Sequence, residues 1–131
     1  MGLTLGDGFK DTNRAGTTQT VTVETKRFDD WWSEKNKPHI DFIKIDTEGA
    51  ELMILQGAQE FITLVKPILL IEIVSKNLEP YAYNQYDILN HLEIIGYILV
   101  TISGTKIDQQ NIDKNMKIFE EFLAFPNNEN N

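Results

Sequence analysis

Apolar residues along this chain follow two periods, and together these predict an alternation of strands and helices. The alternating segment "TVTVETKRF" and the apolar runs "HIDFIKI", "ILLIEIV", "YILVTI" and "IFEEFLAF" predict strands. Apolar residues at spacings of three and four predict one helix from about Thr47 to Lys66 and another from about Asn84 to Ile95. Pro67 ends the first helix, Asn84 can cap the second with Asp87 three residues on, and Gly96 suits its end. "DDWWSEKNK" predicts a short helix or turn in which only one of Trp31 and Trp32 can face inward fully. Residues 103–117 predict a loop with room for one helical turn.

This order of elements predicts an α/β sheet whose parallel strands are joined by right-handed crossovers. The last strand follows a loop rather than a helix, so it can pair antiparallel with its neighbour. The nearly unbroken apolar runs are typical of central strands that are covered on both faces. We expect a flexible segment over residues 1–20, one α/β domain over residues 21–126 and a disordered tail over residues 127–131.

Composition narrows the classes of protein that fit this pattern. The chain has 131 residues, of which 41% are hydrophobic, so one domain with a packed core is expected. A formal net charge of −8 argues against nucleic acid or an anionic membrane as the main partner. Cysteine is absent, which excludes disulfides and thiolate metal sites. No signal-peptide pattern and no apolar run long enough to span a bilayer is present, so we expect a cytoplasmic protein. We also expect no bound metal.

Carboxylates gather where two predicted neighbouring strands end. Asp46 ends the first apolar strand, Glu48 lies just beyond it, and Glu72 lies near the carboxyl end of the next strand. Ligands of open parallel sheets bind outside the carboxyl ends of the strands. Because neighbouring strands are about 4.8 Å apart, we expect Asp46 and Glu72 to lie close together at the rim where substrates dock.

The charged residues here also have structural explanations. Glu48 and Glu51 can complement the dipole at the start of the predicted helix. Lys44 shares the facing of Asp46, and a lysine in a buried strand needs either a path to water or a partner, which Asp46 or Glu72 can supply. A structural ion pair and a functional site therefore both stay open.

One glycine and two histidines complete the set of candidates. Gly49 in the first helical turn indicates either the close approach of a ligand or another backbone, or simple tolerance near a helix end. His39 lies at the opposite end of its strand and His91 in the middle of a helix, so both are expected to be structural. No Ser-His-Asp or Cys-His arrangement can be assembled.

The stretch "IDFIKIDTEGAELMILQGA" resembles the central signature of the FkbM-type methyltransferases, in which an apolar strand precedes K-I-D-x-E-G-x-E and a helix with L-x-G-A. The residues that meet this signature are Lys44, Ile45, Asp46, Glu48, Gly49, Glu51, Leu55, Gly57 and Ala58. "VTVETKRFDDWW" resembles the family's strand before an L-D-D-L segment, with Phe28 where Leu is usual. "PILLIEIV" with Glu72, "LEIIGYILV" and "EEFLAFP" resemble its later elements. The resemblance covers about residues 20–126.

What the resemblance implies is S-adenosylmethionine-dependent methyl transfer to a hydroxyl oxygen, often on a sugar or a secondary metabolite. It also implies a partial Rossmann-like class I methyltransferase sheet, mostly parallel with an antiparallel last strand. Asp46 is then the first candidate for the general base that takes the proton of the acceptor, and Glu48 the second. The residues expected to support and orient them are Lys44, Gly49, Glu51 and Glu72.

Two motifs of the family do not occur in this sequence. One is the glycine-rich turn, roughly D-x-G-A-N-x-G, that cradles the methionine part of the cofactor, and the other is a strand ending in E-P that holds the ribose. The chain therefore resembles the carboxyl half of such an enzyme. An exposed sheet edge is expected where further strands would pair, which favours a homo-oligomer or a missing N-terminal half.

Two other functions stay open at this point. The same half-sheet can be a non-catalytic partner-binding module or an inactive remnant of the enzyme. "DFIKIDTEG" also superficially resembles the strand-end aspartate of phosphoacceptor or magnesium-binding regulatory domains. That third hypothesis requires an upstream acidic pair closing another strand, which this sequence does not show. Cofactor binding discriminates between the first two.

Overall fold

The computed structural model describes Gly2–Thr4 and residues 19–128. In chain order the elements are β1 (Gly2–Thr4), β2 (Glu24–Lys26), α1 (Phe28–Glu34), β3 (Phe42–Ile45), α2 (Glu51–Gly57), α3 (Gln59–Val65), β4 (Ile68–Glu72), α4 (Ser75–Leu78), α5 (Gln85–Ile94), β5 (Tyr97–Thr101), α6 (Ile112–Met116) and β6 (Glu121–Pro126).

Four strands form the main sheet in the order β3-β4-β6-β5. β3 pairs parallel with β4, and β6 pairs antiparallel with both β4 and β5. β3, β4 and β5 therefore run in one direction and β6 runs against them. The predicted α/β sheet with parallel strands and an antiparallel last strand is confirmed. Among the described residues, β3 pairs on one side only, so its other side is an open edge of the sheet.

One face of this sheet packs against the helices. Alternate strand residues on that face are almost fully buried, and they belong to one apolar cluster with the inward stripes of α2, α3 and α5. The cluster includes Ile45, Leu69, Ile71, Leu99, Phe122 and Ala124 from the strands, and Leu55, Phe61, Ile62, Leu89 and Leu92 from the helices. Burial of these side chains is the main favourable contribution to folding.

The opposite face of the sheet carries apolar side chains that the described elements leave partly uncovered. Phe42 is 50% exposed and its register partner Ile68 is 46% exposed. Leu70 and Leu123, which are also paired, are half-buried. The expectation that these apolar strands are covered on both faces is therefore wrong for the described residues, because the helices all contribute to a single cluster on one face.

The long helix predicted over residues 47–66 is two helices. The chain bends at Ala58, which has a φ of −115°. The carboxylate of Asp29 in α1 accepts hydrogen bonds from the backbone N–H groups of Glu60 and Phe61, both at 2.9 Å. In a continuous helix these N–H groups would bond to the preceding turn. Asp29, which is 8% exposed, therefore caps a second helix. Analysis of local periodicity does not detect a cap supplied by a residue so far away in the sequence.

Several smaller predictions are confirmed. Trp32 is buried while Trp31 is 36% exposed, so only one of the adjacent indole rings faces the core. The side chain of Asn84 caps α5 in a capping box, and Gly96 follows that helix with a positive φ. One helical turn, α6, interrupts the predicted loop over residues 103–117.

The amino-terminal segment contains one strand that the sequence patterns did not predict. Gly2–Thr4 pairs antiparallel with Glu24–Lys26. The predicted strand "TVTVETKRF" is reduced to the three residues of β2. Residues 5–18 and 129–131 lie outside the described residues, and with them most of the predicted flexible segment and tail. No helix in the described part of the chain is long and apolar enough to cross a bilayer.

Asp29 gives a first test of how the helical layer is held. Replacing Asp29 with Ala leaves two buried N–H groups without their charged acceptor, so we expect a loss of about 2 kcal/mol in the free energy of unfolding, measured by urea denaturation. The neighbouring Asp30→Ala variant is the control and is expected to change stability by less than about 0.5 kcal/mol. Equal losses in both variants would contradict the capping role of Asp29.

Candidate active site

Three carboxylates meet at the edge of the sheet where β3 and β4 end. Asp46 follows β3 directly, Glu72 is the last residue of β4, and Glu121 is the first residue of β6. Glu72 and Glu121 are register partners across the β4–β6 pair. The expected proximity of Asp46 and Glu72 is confirmed, because the β3–β4 register pairs Ile45 with Ile71 directly before them and the charge of Asp46 acts on Glu72. We call the four residues Lys44, Asp46, Glu72 and Glu121 the rim cluster.

Lys44 is the cation of the rim cluster. Its Nζ lies 3.7 Å from Oδ2 of Asp46 and 3.7 Å from Oε1 of Glu121. The expectation that Lys44 and Asp46 share a face is confirmed. The side chain of Lys44 is 51% exposed, so it has both an acidic partner and a path to water. The reason is that β3 lies at the open edge and Lys44 points to the face without helices.

Glu72 has the most perturbed acidity in the rim cluster. Partial burial is the largest cause, followed by the hydrogen bond and the negative charge of Asp46, with smaller contributions from the charges of Glu51 and Glu120. These effects raise the pKa of Glu72 from 4.5 to about 7. The side-chain amide of Asn77 in α4 also donates to Oε1 of Glu72, at 3.4 Å. Burial and the neighbouring carboxylate therefore favour the protonated form of Glu72.

The turn after Asp46 differs from the predicted helix start. Glu48 and Gly49 have φ values of +55° and +109°, and α2 begins only at Glu51. Placing Glu48 and Gly49 in the first helical turn is therefore wrong. Glu51 is 1% exposed, and its carboxylate accepts hydrogen bonds from Thr47 N (2.9 Å), Thr47 Oγ1 (2.7 Å) and Gly49 N (3.1 Å).

Glu51 thus fixes the turn rather than only complementing a helix dipole. Its buried carboxylate is compensated by backbone N–H groups and a hydroxyl, which are the partners that a buried acid needs. Since the turn begins one residue after Asp46, Glu51 also fixes the direction in which the chain leaves the rim. The predicted supporting role of Glu51 thus has a defined geometry, while a catalytic use of Glu48 stays a prediction.

Gly49 is required by close packing against another part of the backbone. A Cβ atom added at Gly49 would lie 2.1 Å from the carbonyl oxygen of Asn77 and 2.7 Å from the ring of Tyr81. The hydroxyl of Tyr83 donates a hydrogen bond to the carbonyl oxygen of Gly49. Of the two explanations that the sequence left open, the approach of another backbone is the one that the structure favours.

Pattern analysis did not find three of the residues that complete this region, Asn77, Tyr83 and Glu121. The only signal for Glu121 was the antiparallel direction of β6, which brings its first residue to the rim. Asn77 and Tyr83 lie in the connection after β4, where no periodicity or motif indicates which side chain turns inward.

The histidines lie away from the rim cluster. His39 is exposed at the amino end of β3, where its Nε2 lies 2.6 Å from Oδ1 of Asp41. Burial lowers the pKa of His91 in α5, and its Nε2 has no hydrogen-bond partner within the described chain. In the same residues, no group of three or more His, Cys, Asp and Glu side chains is arranged to hold a metal ion.

Comparison with known proteins identifies the class of protein. The model of the Methyltransferase FkbM domain matches residues 5–99, most of the chain, and the chain belongs to this family. The family resemblance is thereby confirmed, although the match begins earlier than expected and does not reach β6.

A curated relative supports the same assignment over a shorter stretch. The 2-O-methyltransferase NoeI of Sinorhizobium fredii (strain NBRC 101917 / NGR234) is 44% identical over 43 residues, which are 33% of this chain and 18% of that protein. The match thus spans less than a fifth of the relative's length. No solved structure matches the chain.

Gly49 offers a direct test of the turn. The Gly49→Ala variant combines a left-handed backbone with a clash against the Asn77 carbonyl, so we expect a loss of about 3 kcal/mol or more in the free energy of unfolding. Gly104 also has a positive φ, of +96°, but no atom lies within 4 Å of its added Cβ. Gly104→Ala is therefore the matched control, with an expected loss of about 1 kcal/mol. Similar losses in the two variants would show that backbone strain, and not crowding, determines the choice of glycine at position 49.

Proposed function

We propose that this chain is the acceptor-side half of an S-adenosylmethionine-dependent O-methyltransferase that acts on a hydroxyl group of a sugar or a secondary metabolite. The observation that carries the proposal is the rim cluster at the carboxyl ends of β3 and β4, which is where open parallel sheets bind their ligands. Membership of the FkbM methyltransferase family supplies the reaction class. The printed name of the relative, a 2-O-methyltransferase, supports oxygen as the acceptor atom.

The strand order supports the finer assignment of the fold. Three parallel strands with an antiparallel strand inserted before the outer one are what a partial Rossmann-like sheet of the class I methyltransferases requires. The open edge of β3 is the position at which further strands of such a sheet would continue. We assign the rest of the cofactor site to a polypeptide part that pairs there.

The described residues fit one part of the cofactor and not another. The rim cluster carries three carboxylates and one lysine, a balance that suits a sulfonium cation at this edge. The N–H groups of Thr47 and Gly49, in contrast, already donate to Glu51, so these two donors are not available to the carboxylate of the methionine part. This supports a binding site for the methionine and ribose parts that lies outside the described residues.

Asp46 is suited to act on the acceptor. When bound, S-adenosylmethionine supplies a methyl group on a sulfonium leaving group. Holding the acceptor hydroxyl in line with that methyl group can provide most of the acceleration. The Asp46 carboxylate is 40% exposed, so a hydroxyl group can reach it and transfer its proton. Two neighbours keep the Asp46 carboxylate oriented, Lys44 on one side and Glu72 on the other.

Cofactor binding is the first test of this function. S-adenosylmethionine is titrated into the isotope-labelled chain, and backbone amide shifts are followed by NMR. We expect weak binding with shifts at residues 44–49 and 72–77, and none at the amino end of β3 around His39 and Asp41. Shifts confined to the amino end of β3 would contradict the proposed site. A complete absence of binding, with strands from another chain bound at the β3 edge, would favour the non-catalytic partner-binding module.

Substitution of Asp46 tests its role in the reaction. In the complete enzyme, Asp46→Asn is expected to lower turnover about 10²- to 10⁴-fold with little change in cofactor affinity, because only proton removal from the acceptor is lost. Asp41→Asn removes the same charge from the amino end of the same strand and serves as the matched control. Equal losses of turnover and affinity in Asp46→Asn would assign Asp46 to cofactor binding instead.

A further inference from the structure

His91 places a buried nitrogen atom in the helical layer. Its Nε2 atom is covered by the surrounding structure and has no hydrogen-bond partner among the described residues. Buried polar atoms of folded proteins are nearly always paired, so an unpaired one needs an explanation. The proposed methyl transfer gives this histidine no role.

A cleft of about 340 Å³ between α2 and α5 lies beside the His91 ring. Gln56 of α2 and Asn90 of α5 line this cleft, as does Tyr83 in the connection before α5. A cleft of this size and polarity can hold water. Because Nε2 itself is covered, however, water reaches it only when α5 and α2 move apart.

The protonation state of the ring decides whether this packing is tolerated. In one neutral tautomer of histidine, Nε2 carries no hydrogen and is only an acceptor. Protonation of His91 puts a charged N–H group at the same covered position. A buried charged donor is costly unless an acceptor or water satisfies it.

The acidic groups of α5 do not supply that acceptor. Asp87 lies one turn before His91 and lines the same cleft, but its carboxylate accepts the backbone N–H of Asn84 in the capping box. Glu93 lines a different cleft, beside β5. The dipole at the end of α5 favours a cation there, yet burial is the cause that sets the direction of the shift, and it lowers the pKa of His91.

The elements that pack against α5 carry three further ionisable groups. Glu51 of α2 is bound to the Thr47–Gly49 turn. Tyr83 and Tyr97 of β5 are neutral near pH 7, because burial raises the pKa of both phenols. A protonated His91 ring is therefore stabilised mainly by water that enters between the helices.

We propose that His91 is a pH-sensitive contact that holds α5 against α2 while its ring is neutral and loosens this packing when the ring is protonated below neutral pH. The contact reaches the candidate site through Tyr83, which lines the same cleft and whose hydroxyl donates to the carbonyl oxygen of Gly49. Loosening of α5 thus weakens the support of the turn after Asp46. This inference stands on the fold and does not depend on the proposed methyl transfer.

The pH range of the effect follows from the direction of the pKa shift. Because the pKa of His91 lies below its ordinary value of 6.5 in the folded chain, the unfolded chain binds more protons, and the stabilising contribution is lost as the pH falls below 6.5. Glu72 acts in the opposite direction. Its pKa is raised to about 7, so its contribution is lost as the pH rises towards 7.

Amide hydrogen exchange at about pH 7.5 and about pH 5, followed by NMR, tests the contact without any enzymatic activity. After correction for the intrinsic exchange rates, we expect the protection factors of α5 to fall several-fold at the lower pH relative to those of β4. The amide signal of Gly49 should also shift with the same midpoint as the ring carbon of His91.

Variants of the two histidines of the chain make the result decisive. His91→Leu removes the titrating ring, and His91→Gln is a second neutral variant in case leucine alters the packing. Both are expected to lose the pH dependence of α5 protection, while the matched control His39→Leu keeps it. Unchanged α5 protection at the lower pH in the unmodified chain, or the same loss in both His91 variants, would overturn the proposal.

Discussion

The buried carboxylate of Glu51 is the interaction on which the candidate site depends. It accepts hydrogen bonds from the backbone and hydroxyl of Thr47 and from the backbone of Gly49, and it thereby closes the turn between β3 and α2. A positive φ at Glu48 is costly for an L-amino acid, and the Glu51 hydrogen bonds offset that cost, while Gly49 adopts its positive φ freely. This closure helps to fix where the chain leaves β3 and how Asp46 is presented at the rim.

The hydrogen bonds of Glu51 give the turn and the rim cluster different roles. Because Glu51 accepts from the N–H groups of Thr47 and Gly49, these groups fix the geometry of the turn. The proposed chemistry belongs to the rim cluster, where three strands bring carboxylates to one edge and Lys44 contacts two of them. The packing of Gly49 against Asn77 couples these two regions, since Asn77 also donates to Glu72. The turn and the connection after β4 are therefore one structural unit around the proposed acceptor position.

Sequence patterns predicted the parts of the fold that follow from local periodicity and local chemistry. The apolar runs identified β3 and β4, the Asn84 cap identified α5, and the strand-end rule brought Asp46 and Glu72 together. The failures share a physical cause, which is contact over long sequence distance. Asp29 splits the predicted long helix from 31 residues away, and the covering of β3 depends on neighbours that its own sequence does not specify. The roles of Asn77 and Glu121 could not be predicted because they arise from packing and register, not from spacing along the chain.

In the proposed function, the reactive methyl group is held beside Asp46 at the carboxyl ends of β3 and β4. Intermolecular NOEs from the isotope-labelled methyl group of S-adenosylmethionine to protons of the chain test it most directly. We expect NOEs to Thr47 and to residues of the connection that carries Asn77. NOEs confined to His39, Asp41 or the outer surface of α5 would place the methyl group elsewhere and contradict the account.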